Sequence, residues 1–355
     1  MNRFYSHISR IWSRLNGALD NRSVEVLIHE ELENHLIRNK QTVLYVGARY
    51  DYGNRDWGLS YEHYNFFHTL RNMGYSLIYF DYDRLEQRYG RTVTSRMLRQ
   101  AVYYYSPDLL FYFHYLDWID HEVWKEVSYE LPAKTIIWLS DDHWRFEETR
   151  GVWELFNVVV TTDREGYERR LRDGASHTIL SQWGFNHYLY KRIATPKLYD
   201  LSFVGRCHGT RRSFIDTIEK RGVSVATFGQ GWKRSSRVTQ ADLIRIYSGS
   251  RISLNISLSS TGGKVQIKGR DFEVPGSGSL LLTEASEELQ SYFVPQEEII
   301  TYRDADDAVK KAAYYLEHDE ERERICECGR KRALKDHTIE QRLEDIFNFA
   351  DSIII

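Results

Sequence analysis

Three cysteines in 355 residues are too few for a disulfide framework. Cys326 and Cys328 form a lone C-x-C without histidine partners, a poor pattern for zinc. No apolar run reaches the roughly 18 residues that a membrane-spanning helix needs. The basic start lacks the apolar stretch of a secretory signal. Charge of one sign is also missing overall, because 48 Lys+Arg stand against 51 Asp+Glu and the net is −3. No global nucleic-acid signature follows from that balance. What is present is a chain with 42% hydrophobic and 14% aromatic residues, which excludes disorder. Its length suits two domains, each with its own core. A soluble protein of a reducing, cytoplasmic compartment is the expectation.

The near-neutral total hides a dipolar layout. Residues 203–270 hold 13 Lys+Arg and 3 Asp+Glu, whereas residues 271–355 hold 10 and 21. No acid occurs between Leu243 and Arg270. A basic block inside a neutral protein suits a locally held anion, since same-sign charge lining a crevice focuses potential there. A solvated helix face is the plainer alternative.

Strand and helix patterns alternate along the chain. Short apolar runs stand at Gln41–Val46, Ser76–Phe80, Leu109–Phe113, Thr135–Leu139 and Val158–Thr161. The pattern restarts at Leu201–Val204, Val223–Phe228, Ile252–Ile256, Leu280–Thr283 and Ile299–Tyr302. Helix-length segments between them, such as Tyr61–Met73 before Gly74, predict right-handed βαβ units and parallel sheets. A seam falls near Asn186–Asp200, where polar residues and Pro196 break the periodicity. Two doubly wound α/β domains are therefore expected, with ligands beyond the C-terminal ends of the strands.

The first turn of the second domain reads LSFVGRCHGTRR over Leu201–Arg212. Gly205 permits a tight turn, Arg206 follows it, and Arg211 and Arg212 open the next helix. A helix N-terminus carries partial positive charge, so arginines there are unfavourable unless an anion lies between them. Guanidinium forks match phosphate oxygens in pairs, which makes a diphosphate the expected occupant. The turn has neither the G-x-G-x-x-G nor the Walker pattern, so nothing in it favours NAD or ATP. Gly229 and Gly231 follow another strand and leave room for a planar base, with Trp232 beside them. A plain strand-to-loop turn with a packed tryptophan is the alternative there.

These segments resemble the GT-B glycosyltransferases. The sequence V-G-R with Arg211 five residues on is similar to their R-x4-K element, with Arg in place of Lys. Lys268–Glu284 (KGRDFEVPGSGSLLLTE) resembles the corresponding segment of the spore-maturation (CgeB-like) glycosyltransferases. Phe228–Trp232, Ser253–Ile256, Tyr302–Ala308 and Gly329–His337 extend the match over about 190–347, and Asp141–Trp144 and Leu180–Asn186 carry a weaker one before it. The resemblance implies a GT-B fold, two Rossmann-like domains facing a central cleft. It divides the chain into an N-terminal helical extension (1–40), an acceptor-side domain (41–190), a nucleotide-sugar domain (198–337) and a C-terminal helix returning to the first domain (338–355).

The resemblance further implies transfer of a sugar from a nucleotide-diphosphate sugar, a UDP-sugar being the first expectation, to an acceptor hydroxyl. Arg206 and Arg211 would hold the diphosphate, Lys268 and Arg270 would touch it, and Glu273 would accept the ribose hydroxyls. The first glutamate of the E-x7-E motif falls at Val265, which leaves the stereochemical course open. A non-catalytic binding protein of a surface layer or spore coat, or a GT-B-shaped epimerase, are the other functions weighed. No metal-ligand cluster is recognisable, and no resident cofactor is expected.

In the first domain, Thr135–Trp144 (TIIWLSDDHW) runs a strand into Asp141, Asp142 and His143. Adjacent acids at a strand end repel each other unless a task or a cation compensates, so any of the three is a candidate base. Helix capping by one of the aspartates is the plainer reading. Arg49, Tyr50 and Tyr52 follow the first strand on the acceptor side. Aromatics crowd that region, among them Trp57, Tyr61, Tyr64, Tyr112, His114, Tyr115 and Trp118, as stacking faces for a carbohydrate or as core. Phe4–Leu19 carries a helical apolar stripe with Arg3, Arg10 and Arg14 nearby. It is read as an interfacial helix on anionic lipid, or as a surface docking against its own protein or a second subunit.

Overall fold

The computed structural model describes residues 21–115, 119–232, 237–257 and 265–353. The stripe at Phe4–Leu19 and Trp118 lie outside these residues. The chain divides into two compact units, residues 1–182 with 343–355, and residues 183–342.

The first unit holds a seven-stranded sheet in the order β1-β3-β2-β4-β5-β6-β7. Its strands are Glu33–His35 (β1), Thr42–Val46 (β2), Ser76–Phe80 (β3), Leu109–His114 (β4), Lys134–Leu139 (β5), Val158–Thr161 (β6) and Thr178–Leu180 (β7). All pairings are parallel except that of β1 with β3. Strands β3 and β4 are buried along their whole length, as strands covered on both faces must be. This explains the unbroken apolar runs SLIYF and LLFYF. The short edge strands β1 and β7 escape sequence reading, because ENH has no apolar signal and TIL is only three residues long.

The second unit holds a five-stranded parallel sheet in the order β12-β11-β10-β8-β9. Its strands are Tyr199–Val204 (β8), Ala226–Phe228 (β9), Ser250–Leu254 (β10), Leu280–Glu284 (β11) and Ile300–Tyr302 (β12). Both sheets turn direction between their first and third parallel strands, β2 and β4 in one unit and β8 and β10 in the other. That switch is where open α/β sheets bind ligands.

Helices Arg164–Arg172 and Gln240–Ser248 begin on Asp163 and Thr239, whose side chains accept from Gly166 N at 2.7 Å and Asp242 N at 3.2 Å. The helix expected over Tyr61–Met73 contains a π-helical turn at His63–Phe67 before its α-helical part His68–Asn72. The closing helix Ile339–Ser352 begins in the second unit and ends in the first. No helix among the described residues is long and apolar enough to cross a membrane.

Candidate anion site of the second unit

Strand β8 ends at Val204 and the chain turns at Gly205, whose N–H donates to Phe228 O at 2.9 Å. A side chain at Gly205 would stand 3.1 Å from Arg270 Nη1, so glycine leaves that arginine room to approach. Gly229 adopts φ +116°, and a Cβ there would lie 2.6 Å from Gly205 O. The glycines after β9 thus let two loops cross closely. Trp232 is corrected to the packed tryptophan of the alternative reading. It is buried, donates Nε1–H to Gly205 O at 2.8 Å and meets Phe203 edge-on at 5.8 Å. The indole clamps the turn from beneath and belongs to the core.

Arg211 and Arg212 open the helix Arg211–Lys220 and diverge. Arg212 stays exposed, lies over Trp232 and donates to Gly231 O at 2.9 Å, tying the two loops together. Arg211 turns inward. It is 7% exposed, and its Nη1 donates to Arg206 O at 3.0 Å. Its Nε–H is buried without a partner among the described residues. No carboxylate pairs with it among the described residues, and Arg270 lies close instead. Burial, followed by repulsion from Arg270, pushes the Arg211 guanidinium down to about 9. Both guanidinium groups lie over one ring, that of Phe203, at 5.6 and 5.8 Å.

His208, on the loop between them, marks where the cations converge. Burial first, then Arg211, Arg206, Arg270 and Lys268, depress its imidazole below the ordinary histidine value. Sequence reading did not single out His208, although it sits inside the quoted turn. A buried arginine beside a second, half-buried one is costly unless an anion completes the site.

The second wall of this site starts from β10. Asn255, fully buried just past that strand, accepts from Arg270 Nε at 2.9 Å and donates Nδ2–H to Asp271 Oδ1 at 2.7 Å. Thr283 Oγ1 donates to the same oxygen at 2.8 Å, and Lys268 N–H donates to Asp271 Oδ2 at 2.9 Å. Burial still pushes the Asp271 carboxyl above its ordinary value, against these hydrogen bonds. Glu273 lies on the same short helix, Arg270–Gly276, and accepts from Tyr190 Oη at 2.8 Å. Its surroundings exclude water, and desolvation pushes it up to about 7. Asn255, Asp271 and Tyr190 were missed by sequence reading. The available signal was a buried amide interrupting the apolar run S-L-N-I.

In the first unit the three candidate bases separate. Asp142 is fully buried and forms a bidentate ion pair with buried Arg170, while Thr161 Oγ1 donates to it at 2.6 Å. It has no capacity left to take a proton from a substrate, so its reading as a base is corrected to an architectural one. Asp141 is half-buried, and its side chain makes no hydrogen bond with the described residues, not even as a cap for the helix Asp142–Trp153. His143 is half-buried beside exposed Trp144.

Arg49 is also corrected. It pairs with Glu33 of β1 and lies over Tyr79 at 4.9 Å, so it braces the sheet edge. Tyr50 bridges to Leu59. Tyr52 has φ +50°, a conformation rare outside glycine, and is 59% exposed. Its ring meets Trp57 at 5.7 Å and Tyr115 at 5.4 Å. Burial, with Tyr52 and Asp141 nearby, pushes the Tyr115 hydroxyl up to about 12. Tyr112 and His114 are core, Tyr112 stacking on Trp124 at 4.9 Å.

Residues 210–348 match a family described as glycosyl transferase-like. No curated protein matches the chain. Among solved structures, Anabaena HepE in complex with UDP and glucose is similar at 11% identity and TM-score 0.59, covering 88% of this chain and 100% of that one. A glycosyltransferase from Rickettsia africae is similar at 10% identity and TM-score 0.62, covering 88% and 98%. Sucrose-phosphate synthase from Thermosynechococcus elongatus is similar at 13% identity and TM-score 0.61, covering 88% and 100%. At such identities the likeness concerns the fold. The chain thus has the GT-B fold, the architecture of glycosyltransferase enzymes, with a glycosyl transferase-like region at residues 210–348.

Proposed function

We propose that this protein transfers a sugar from a nucleotide-diphosphate sugar, a UDP-sugar first among them, to the hydroxyl of a carbohydrate acceptor. The observation that carries the reading is buried Arg211 at the β8/β10 switch, with no carboxylate paired to it among the described residues and half-buried Arg270 as its charged neighbour. A diphosphate supplies the missing charge and accepts the Nε–H that Arg211 leaves unpaired. Arg206 and Lys268 add positive potential at the rim. Glu273, steadied by Tyr190, accepts the ribose hydroxyls. The UDP and UDP-glucose complexes of the Anabaena neighbour support this choice of donor.

In the reaction the acceptor oxygen bonds to the anomeric carbon while the bond from that carbon to the diphosphate oxygen breaks. The acceptor proton passes to a base, for which Asp141 and His143 remain. Tyr52, Trp57 and Tyr115 offer ring faces to a sugar acceptor. The leaving diphosphate gains one negative charge as that bond breaks, and the guanidinium groups stabilise it in a metal-independent course. Kinship with the spore-maturation branch rests on the segment Lys268–Glu284, and a cytoplasmic location suits a donor made there.

The test is calorimetric titration with UDP and an assay of UDP released from UDP-glucose. Arg211→Ala and Arg270→Ala should abolish UDP binding while the fold persists, and Asp141→Asn should bind UDP normally yet turn over at least about 100-fold more slowly. Undiminished UDP affinity in both arginine variants would refute the donor site. Donor binding without any transfer or hydrolysis would favour a binding protein.

A further inference from the structure

We infer that Asp271 is a positioning residue that acts through Asn255 to hold Arg270 in the orientation that receives the diphosphate, an inference that rests on the donor site proposed above. The chain of contacts is directional at every link. Arg270 Nε–H only donates, so the group facing it must be an acceptor, and Asn255 Oδ1 stands there at 2.9 Å. Asn255 then necessarily turns Nδ2 the other way, where it meets Asp271 Oδ1 at 2.7 Å. Asp271 can serve because a carboxylate accepts on both oxygens, and its other oxygen takes the Lys268 N–H at 2.9 Å. Asn255 and Asp271 are 0% and 1% exposed, so water cannot replace any member.

The other groups near Nδ2, Ser257 Oγ at 3.1 Å and Thr283 Oγ1 at 3.2 Å, are hydroxyls that can donate or accept, so they leave the amide free to turn either face to Arg270. Reversed, it would oppose N–H to N–H and push the guanidinium away. The carboxylate removes that choice. It also fixes the turn Lys268–Arg270 from which the guanidinium springs, so both the root and the head of Arg270 are set by one residue. The Nη groups make no hydrogen bond with the described residues and stay available to an anion. Arg211 needs no such device, since its Nη1 is held by the backbone carbonyl of Arg206.

The experiment is a double-mutant cycle read by calorimetric binding of inorganic pyrophosphate and UDP to the full chain. Asp271→Asn should weaken both ligands about tenfold in the wild-type background. In an Arg270→Lys background, where the charge remains but the Nε–H is gone, the same substitution should change affinity less than about twofold. Asn255→Ser, too short to bridge, should reproduce this pattern and serves if Asp271→Asn does not fold. Equal losses with and without the Arg270 guanidinium, or none in either background, would overturn the relay while leaving the donor site standing. Failure of the wild-type chain to bind either probe would remove the donor site and the relay together.

Discussion

Arg170 and Arg211 are both buried arginines, 0% and 7% exposed, and they do opposite things. Arg170 meets Asp142 through both Nη groups inside the first unit and is covered by the rings of Phe146 and Trp153 at 4.5 and 4.9 Å. Arg211 meets the backbone carbonyls of Arg206 and Ile256 and a second arginine. A buried cation with its own carboxylate is finished architecture. One with a like charge as its neighbour is incomplete until an anion arrives. The contrast separates structural from functional charge more reliably than exposure does, since both side chains are hidden.

The comparison breaks first at the finished pair. Asp142→Ala should cost about 3–5 kcal/mol in urea unfolding, because it strands the Arg170 guanidinium in the core. The folded fraction should bind UDP as the wild type does. Stability unchanged by that substitution would mean that the pair is not what holds those two elements. At Arg211 the order reverses. Arg211→Leu should leave stability within about 1 kcal/mol of wild type or raise it, while UDP stops protecting the protein against heat. For the wild type, UDP at about 100 times its dissociation constant should add about 2.7 kcal/mol.

A milder contrast holds between the buried acids. Asp142 has a cation in contact, whereas Glu273 accepts from the Tyr190 hydroxyl, and desolvation carries it from the ordinary 4.5 to about 7. Its folded-state value is raised, so its contribution is present in full below about 4.5 and is lost as pH rises to about 7. Unfolding free energy measured across that window should fall with pH in the wild type, and Glu273→Gln should flatten the slope. The smallest effect belongs to Trp232, where replacement by Phe keeps the packing and removes one hydrogen bond to Gly205 O. A loss of about 1 kcal/mol is expected in thermal unfolding, with UDP binding retained.

Ten strand runs read from apolar patterning all recur as strands, since strands covered on both faces cannot hide their composition. Edge strands β1 and β7 were illegible because they are short and only partly covered. In the second unit, charge and spacing were enough to single out the arginines of β8's turn and Gly205 as a tight turn. The partner of Arg270 was not legible, because Asn255 lies 15 residues before it in the chain and meets it only after folding. The paired acids at Asp141 and Asp142 show the limit most sharply. Neighbours in sequence, they end in different environments, and repulsion between them is relieved by an arginine 28 residues away from one of them.

The amino-acid sequence alone determined the alternation of apolar strands and amphipathic helices, and hence two parallel α/β units, because that periodicity is local. It also determined the concentration of positive charge before residue 271. Only the tertiary structure decided which charges are answered. Whether an arginine or an aspartate is spent on architecture depends on what stands opposite it after folding, and electrostatic partners at contact distance are chosen by the packing of strands far apart in the chain.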